Sequence, residues 1–340
     1  MPSMRAVAVT LVVAVAIVAA AIGTLALGRS ETEPVRGDLL AYSCKEQKNP
    51  WYAICVMGTD GSNARRLTAK LTTTDPAWSP DGRRIAFTRN EDIGESTSFT
   101  SDDVFVMASD GAGMRQLTPE RPGRSFGQPA WSPDGLQIAY VDSGSVSSAV
   151  PSRLGRLTVV DVDGGGARRL TEGRIDADPD WSPDGREIVF TRGVNIASFD
   201  DGNQDIYVLD VETGKTKRLT RTPAGTFESA PAWSPDGSRI AFARWTRQTQ
   251  FEGEARIYVM NRDGSDQSLV LEHRHFASGP YSLTWSPDGR KIAFETSSEL
   301  GCTSISTMSA AGGATHPLTT CTRPREASAA PAWQPAVDPG

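Results

Sequence analysis

Histidine and cysteine are scarce, with three and four residues respectively in a chain of 340, and no Cys-x-x-Cys spacing occurs. A zinc site built from the usual Cys and His ligands therefore has no ligand set. No Gly-x-Ser-x-Gly nucleophile turn is present, and too few residues follow Trp333 to hold a hydrolase domain, so the serine-peptidase reading fails. Positive charge is not in excess either. The 35 basic and 41 acidic residues leave a net charge of -6, which repels a polyphosphate partner, and nucleic acid is not expected as a ligand. The basic pairs Arg65-Arg66 and Arg168-Arg169 each open an expected outer strand, where they read as a solvated edge.

Charge is absent altogether from Ala6 to Leu27. At the helical rise, those 22 residues span about the 30 Å of a bilayer core. Residues 1–28 are expected to be an N-terminal membrane anchor, single-pass with the remainder extracytoplasmic. The alternative is a signal sequence cleaved near Ala26-Leu27-Gly28, leaving a secreted or periplasmic protein. No cysteine directly follows the run to accept a lipid. Residues 29–37 read as a polar linker and 336–340 as a tail.

Turn formers are plentiful, with 32 Gly and 22 Pro, and they recur in order. The string Pro76-Ala77-Trp78-Ser79-Pro80-Asp81-Gly82, followed by Ile85-Ala86-Phe87, returns five more times in varied form. Its tryptophans are Trp78, Trp131, Trp181, Trp233, Trp285 and Trp333, spaced by 53, 50, 52, 52 and 48 residues. Each unit reads as four strands. Pro-Ala-Trp is the first, and Ser-Pro-Asp-Gly is a turn in which Pro sets φ and Gly takes the left-handed exit. Ile-Ala-Phe is the second strand, and segments such as Ile206-Tyr207-Val208-Leu209 are the third. Asp-Gly hairpins such as Asp60-Gly61 and Asp263-Gly264 lead to a short fourth. A single four-stranded sheet cannot bury both faces, so the units must stack on one another, and the tryptophans are expected in the core between them. Leu39-Leu40-Ala41-Tyr42 matches a second strand and Pro331-Ala332-Trp333 a first. The fold class is therefore all-β: a six-bladed β-propeller over 38–335, closed by the two ends of the chain sharing one blade.

Trp-Ser-Pro-Asp-Gly followed by Ile-Ala-Phe and Ile-Tyr-Val-Met resembles the WD40-like (PD40) repeat of TolB-type propellers over roughly residues 38–335. The additional α/β domain that precedes the propeller in TolB-type proteins has no counterpart here, so its role is not implied. The repeat itself is shared by proteins of very different activity.

Placed on this topology, Cys302 precedes a third strand and Cys321 follows the adjacent fourth, while Cys44 and Cys55 flank a strand-two to strand-three connection. Of the three possible pairings, Cys44–Cys55 and Cys302–Cys321 are expected as staples, in keeping with an exported chain.

The one-to-two and three-to-four turns share one rim and are short. The other rim carries long segments, and long loops on a rigid ring are where binding residues gather. The expected recognition surface on that rim comprises Arg124, Phe126, Phe199, Phe227, Glu228, Arg244, Trp245, Arg247, Phe276 and Tyr281, a mixture of aromatics and arginines. Asp176, Asp178 and Asp200 are weak candidates for metal, since neither acidic cluster fits an EF-hand, and a solvated rim explains them more simply. No catalytic set and no cofactor motif is read. The chain is read as a recognition module for a protein, a peptide or an envelope glycan, with a monomeric ectodomain. The alternative is a metal-assisted hydrolase, lactonase or lyase acting on a sugar derivative.

Overall fold

The structure, a computed structural model, describes residues 38–46, 51–69, 72–91, 101–119, 121, 124–145, 155–172, 175–194, 202–247, 253–276, 282–297, 302–321 and 327–336. The apolar run 6–27 lies outside these residues. Among the described residues no helix is long and apolar enough to cross a membrane. All described structure lies within residues 38–336.

Every regular element described is a strand. The first three are β1 (Leu39–Lys45), β2 (Ala53–Gly58) and β3 (Arg65–Arg66). The next run is β4 (Thr73–Trp78), β5 (Arg84–Glu91), β6 (Ser101–Ala108) and β7 (Arg115–Gln116). It is followed by β8 (Arg124–Trp131), β9 (Gln137–Ser145), β10 (Arg156–Asp161) and β11 (Arg168–Arg169). Then come β12 (Ile175–Trp181), β13 (Glu187–Val194), β14 (Asn203–Asp210) and β15 (Thr216–Arg218). The fifth run is β16 (Thr226–Trp233), β17 (Arg239–Arg247), β18 (Gly253–Asn261) and β19 (Ser268–Phe276). Last are β20 (Leu283–Trp285), β21 (Lys291–Ser297), β22 (Thr303–Ser309), β23 (Thr315–Pro317) and β24 (Ala327–Trp333). Within each run neighbours pair antiparallel in chain order. β24 pairs not with β23 but with β1, Leu40 opposite Trp333, so the C-terminal strand supplies the first strand of the N-terminal run.

The repeated sequence explains the repeated geometry. Ser79 donates its hydroxyl to Asp81 Oδ1 at 2.6 Å and accepts the Arg84 N–H at 2.9 Å, which closes the turn. The same bonds recur at Ser132, Ser182, Ser234 and Ser286. In the fourth of these five turns the Ser234 hydroxyl, with the Ser238 N–H and hydroxyl, lowers the Asp236 carboxyl to about 2. The Leu-Thr that closes most units is a second polar lock. Thr68, Thr118, Thr171, Thr220 and Thr319 each accept, through Oγ1, the buried N–H that opens the third strand, from Ile54, Val104, Leu157, Ile206 and Ile305 at 2.8 to 3.1 Å.

Hydrophobic burial runs between the sheets. Six clusters each join one run to the next: Val56 with Trp78 and Phe87, Val106 with Trp131, Val159 with Trp181, Val208 with Trp233, Val259 with Trp285, and Ile305 with Trp333. All six tryptophans are 5 to 9% exposed, as expected of residues that pack sheet on sheet. Trp131 and Trp285 donate Nε1–H to the carbonyls of Ala77 and Ala232 in the preceding run, each at 3.1 Å. At the seam where the chain ends meet, Gln334 takes the place of the serine and donates its side-chain amide to the Gly82 carbonyl at 3.1 Å. Cys44–Cys55 and Cys302–Cys321 are disulfides with Cα separations of 5.9 and 6.0 Å, the pairing expected from strand order, and no described cysteine is free. All of this is an all-β, propeller-like fold.

Candidate functional site in the central channel

The first strands of the runs carry a shared irregularity. Asp75, Gln128, Asp178, Ala230 and Ala330 all have φ between 49 and 54°, and the ladder slips at each of the first four positions. A left-handed residue in a bulge turns its N–H out of the ladder, and a buried N–H needs another acceptor. Side chains supply it. Asp75 N–H goes to Ser43 Oγ at 3.2 Å, Gln128 N–H to Thr88 Oγ1 at 3.2 Å, Asp178 N–H to Gln128 Oε1 at 3.0 Å, and Ala230 N–H to Asp178 Oδ2 at 3.2 Å. The Ala330 N–H goes to Glu295. Each bulge is thus held by the run before it.

These bulges line a cavity of about 490 Å³ that extends along the first strands from Asp75, Gln128 and Asp178 to the Ser-Pro turns at Pro80, Pro133 and Pro183. Its described wall is mostly Pro, Ala and Trp. The only charged side chains on it are Asp75, Asp178 and Asp180, and no basic side chain lines it. Gln128 donates Nε2–H to Asp178 Oδ1 at 2.7 Å, and Asp180 accepts the Trp233 N–H at 2.8 Å. Burial pushes the Asp75 and Asp178 carboxyls up, reinforced at Asp75 by the negative charge of Asp102 and at Asp178 by that of Asp75, and pushes Asp180 up to about 7. Glu295, buried beside this wall, is raised by burial to about 7. Each of these shifts favours the protonated acid, and a cation brought into the cavity would favour the ionised form instead.

The residues expected on the long-loop rim divide into three groups. Arg124, Glu228 and Arg244 are spent within the fold. Arg124 donates through Nη2 to both carboxylate oxygens of Asp142, and Arg244 reaches the fully buried Glu228 Oε1 at 2.6 Å. Glu228 also accepts the Thr220 hydroxyl and the Ile206 N–H of the preceding run, so it ties two runs together. Phe126, 3% exposed, is core and packs edge-on against Tyr140. These four make bonds or packing contacts inside the protein, although Arg124 Nε makes no hydrogen bond. Phe227 and Trp245, by contrast, are half-buried cross-strand partners with ring centroids 5.7 Å apart, at the long-loop end of β16 and β17. Arg247 and Phe276 lie at the same end, each in register with Gly253. Phe199 and Tyr281 lie outside the described residues.

The metal candidates separate likewise. Asp176 is fully buried and accepts from Arg192 Nε and Nη2 at 2.6 and 2.8 Å, so its charge is already paired inside the fold. Asp178 belongs to the channel, and Asp200 lies outside the described residues. Among the described residues no group of three His, Cys, Asp or Glu is placed to hold a metal ion. Sequence reading overlooked Asp75, Gln128 and Glu295. The available signal was the residue just before Pro-Ala-Trp, which varies as Asp, Gln, Asp, Ala and Ala while its neighbours repeat.

Comparison with known proteins agrees with this architecture. An uncharacterised protein of Agrobacterium fabrum is 27% identical over 231 residues, covering 66% of this chain and 70% of that protein. TolB from Acinetobacter baumannii superposes with a TM-score of 0.66 at 20% identity, over 89% of this chain and 69% of its own. An oligogalacturonate lyase in complex with manganese superposes with a TM-score of 0.53 at 12% identity, over 82% of this chain and 73% of its own. At such identities these two structures establish the fold alone. The family model for the TolB beta propeller domain (PD40) matches residues 36–196 and 192–337, and the chain belongs to that family.

Proposed function

We propose that the protein is an extracytoplasmic binding module, a closed ring of six four-stranded blades. Its channel receives a cationic segment of a protein or peptide, and its long-loop rim makes the flanking contacts. Support for the ring comes from the six inter-sheet clusters and the β24–β1 pairing. Support for export comes from the two disulfides, which persist in oxidising compartments, with residues 1–28 as anchor or signal. The observation that carries the binding reading is the channel wall: three carboxylates, with no basic side chain among its described residues, in a cavity whose size suits one side chain or a short segment. Phe227 and Trp245 offer the rim a half-exposed aromatic platform of the kind recognition surfaces use. An envelope glycan bearing an amine would satisfy the same chemistry.

Calorimetric titration of the full chain with pentalysine and with pentaglutamate tests this reading. Binding of pentalysine only, weakened about tenfold in Asp178→Asn and diminishing as salt is added, is the expected result. Equal binding of both peptides, or of neither, would refute it. Stoichiometric metal in the purified chain, with thermal stabilisation on adding it, would instead favour the metal-assisted hydrolase or lyase.

A further inference from the structure

A second cavity, of about 420 Å³, lies away from the channel, where β22 meets the sheet closed by β24 and β1. Its charged lining is the reverse of the channel's, with Lys45, Arg65 and Arg66 against the single carboxylate Glu46. Two buried donors in its wall, Arg66 Nη2 and Thr303 Oγ1, make no hydrogen bond. A buried guanidinium nitrogen without an acceptor is destabilising, so an acceptor brought to it from outside is favoured.

The repeat itself shows what is missing. In β15, Arg218 stands opposite Tyr207, bonds the Thr220 carbonyl through Nε at 2.9 Å, and pairs through Nη2 with the fully buried Asp205. In β3, Arg66 stands opposite Cys55 in the same register and bonds the Thr68 carbonyl through Nε at 2.7 Å. Two residues before Tyr207 is Asp205; two residues before Cys55 is Ala53. One arginine keeps its carboxylate and the other has lost it, and a cavity with further cations opens beside the second.

We propose that this seam cavity binds a carboxylate group from outside the chain, with Arg66 as its principal partner and Lys45, Arg65 and Thr303 completing the shell. The carboxylate takes the role that Asp205 fills for Arg218. The site is independent of the channel in position and in sign of charge, so it stands or falls separately from the channel reading.

Thermal unfolding of the full chain with millimolar glutarate, with inorganic phosphate, and with sodium chloride at matched ionic strength tests the assignment. Glutarate is expected to raise Tm by roughly 2–4 °C over the chloride control, more than phosphate does. The rise should vanish in Arg66→Gln. It should vanish also in Ala53→Asp, where the restored carboxylate raises the Tm of the unliganded chain. No glutarate effect on the wild type, a response to phosphate alone, or an undiminished glutarate response in Arg66→Gln would each overturn the proposal. Should Ala53→Asp fail to fold, the Arg66→Gln comparison decides it.

Discussion

At the scale of single residues, the three aspartates before Trp181 show how far a sequence pattern reaches. Asp176, Asp178 and Asp180 alternate, and in an unbroken strand they share one face. The left-handed bulge at Asp178 breaks that parity. Asp176 is buried against Arg192, while Asp178 and Asp180 line the channel. Their number and charge were legible, but their division between structure and channel depends on a backbone kink that propensity does not announce. Asp180 occupies a position that is Ala in four other runs, and its carboxyl, raised to about 7, titrates well above its unfolded value. The folded state therefore holds a proton that the unfolded chain has released between about pH 4 and 7. The stability this contributes is full below the unfolded pKa and is lost as pH rises through 7. Asp180→Asn keeps an acceptor for the Trp233 N–H and removes the charge. It is expected to raise Tm at pH 8, to leave it nearly unchanged at pH 4, and to flatten the decline between. Parallel Tm profiles for variant and wild type would show that Asp180 does not titrate there.

At the scale of the element, two short polar motifs do more than their hydropathy suggests. Ser-Pro-Asp-Gly reads as a turn from sequence alone because Pro and Gly set its dihedrals, and the structure has that turn at all five complete copies. Leu-Thr reads only as the end of a strand, yet its hydroxyl satisfies the buried N–H that opens the third strand, a bond between residues 14 apart that no local rule encodes. Thr171→Val conserves shape and leaves the Leu157 N–H without its acceptor. It is expected to cost about 1–3 kcal/mol, seen as a lower urea midpoint at an unchanged slope. A midpoint equal to wild type would mean that this bond contributes nothing. The rim residues teach the converse lesson. Arg124, Glu228 and Arg244 look like recognition residues by type, but each belongs to a cross-strand ion pair, Glu228 directly opposite Arg244 and Asp142 opposite Phe126, two residues beyond Arg124, and spacing along one strand does not reveal such pairs.

At the scale of the whole molecule, the repeat made the architecture legible. A unit that recurs along the chain and cannot bury its own faces has to stack on its neighbours, and β24 pairs with β1. β24 places Trp333 against the last and first sheets and Gln334 against Gly82 of the next, so the C-terminal strand holds three runs together. Deleting residues 329–340 is expected to lower Tm by more than 10 °C or to prevent folding. An unchanged melting curve would count against closure through this strand. The disulfide pairing followed from the same topology, since each bond links segments that strand order brings to one edge.

What the sequence does not display is the channel, because its wall is assembled from single residues about fifty positions apart. The binding account rests on that wall, and hydrogen–deuterium exchange of the full chain with and without pentalysine tests it most directly. Slowed exchange concentrated in β4, β8 and β12, around Asp75, Gln128 and Asp178, is the predicted result. Protection confined to the outer strands β3, β7 and β11, or no protection at saturating peptide, would contradict it.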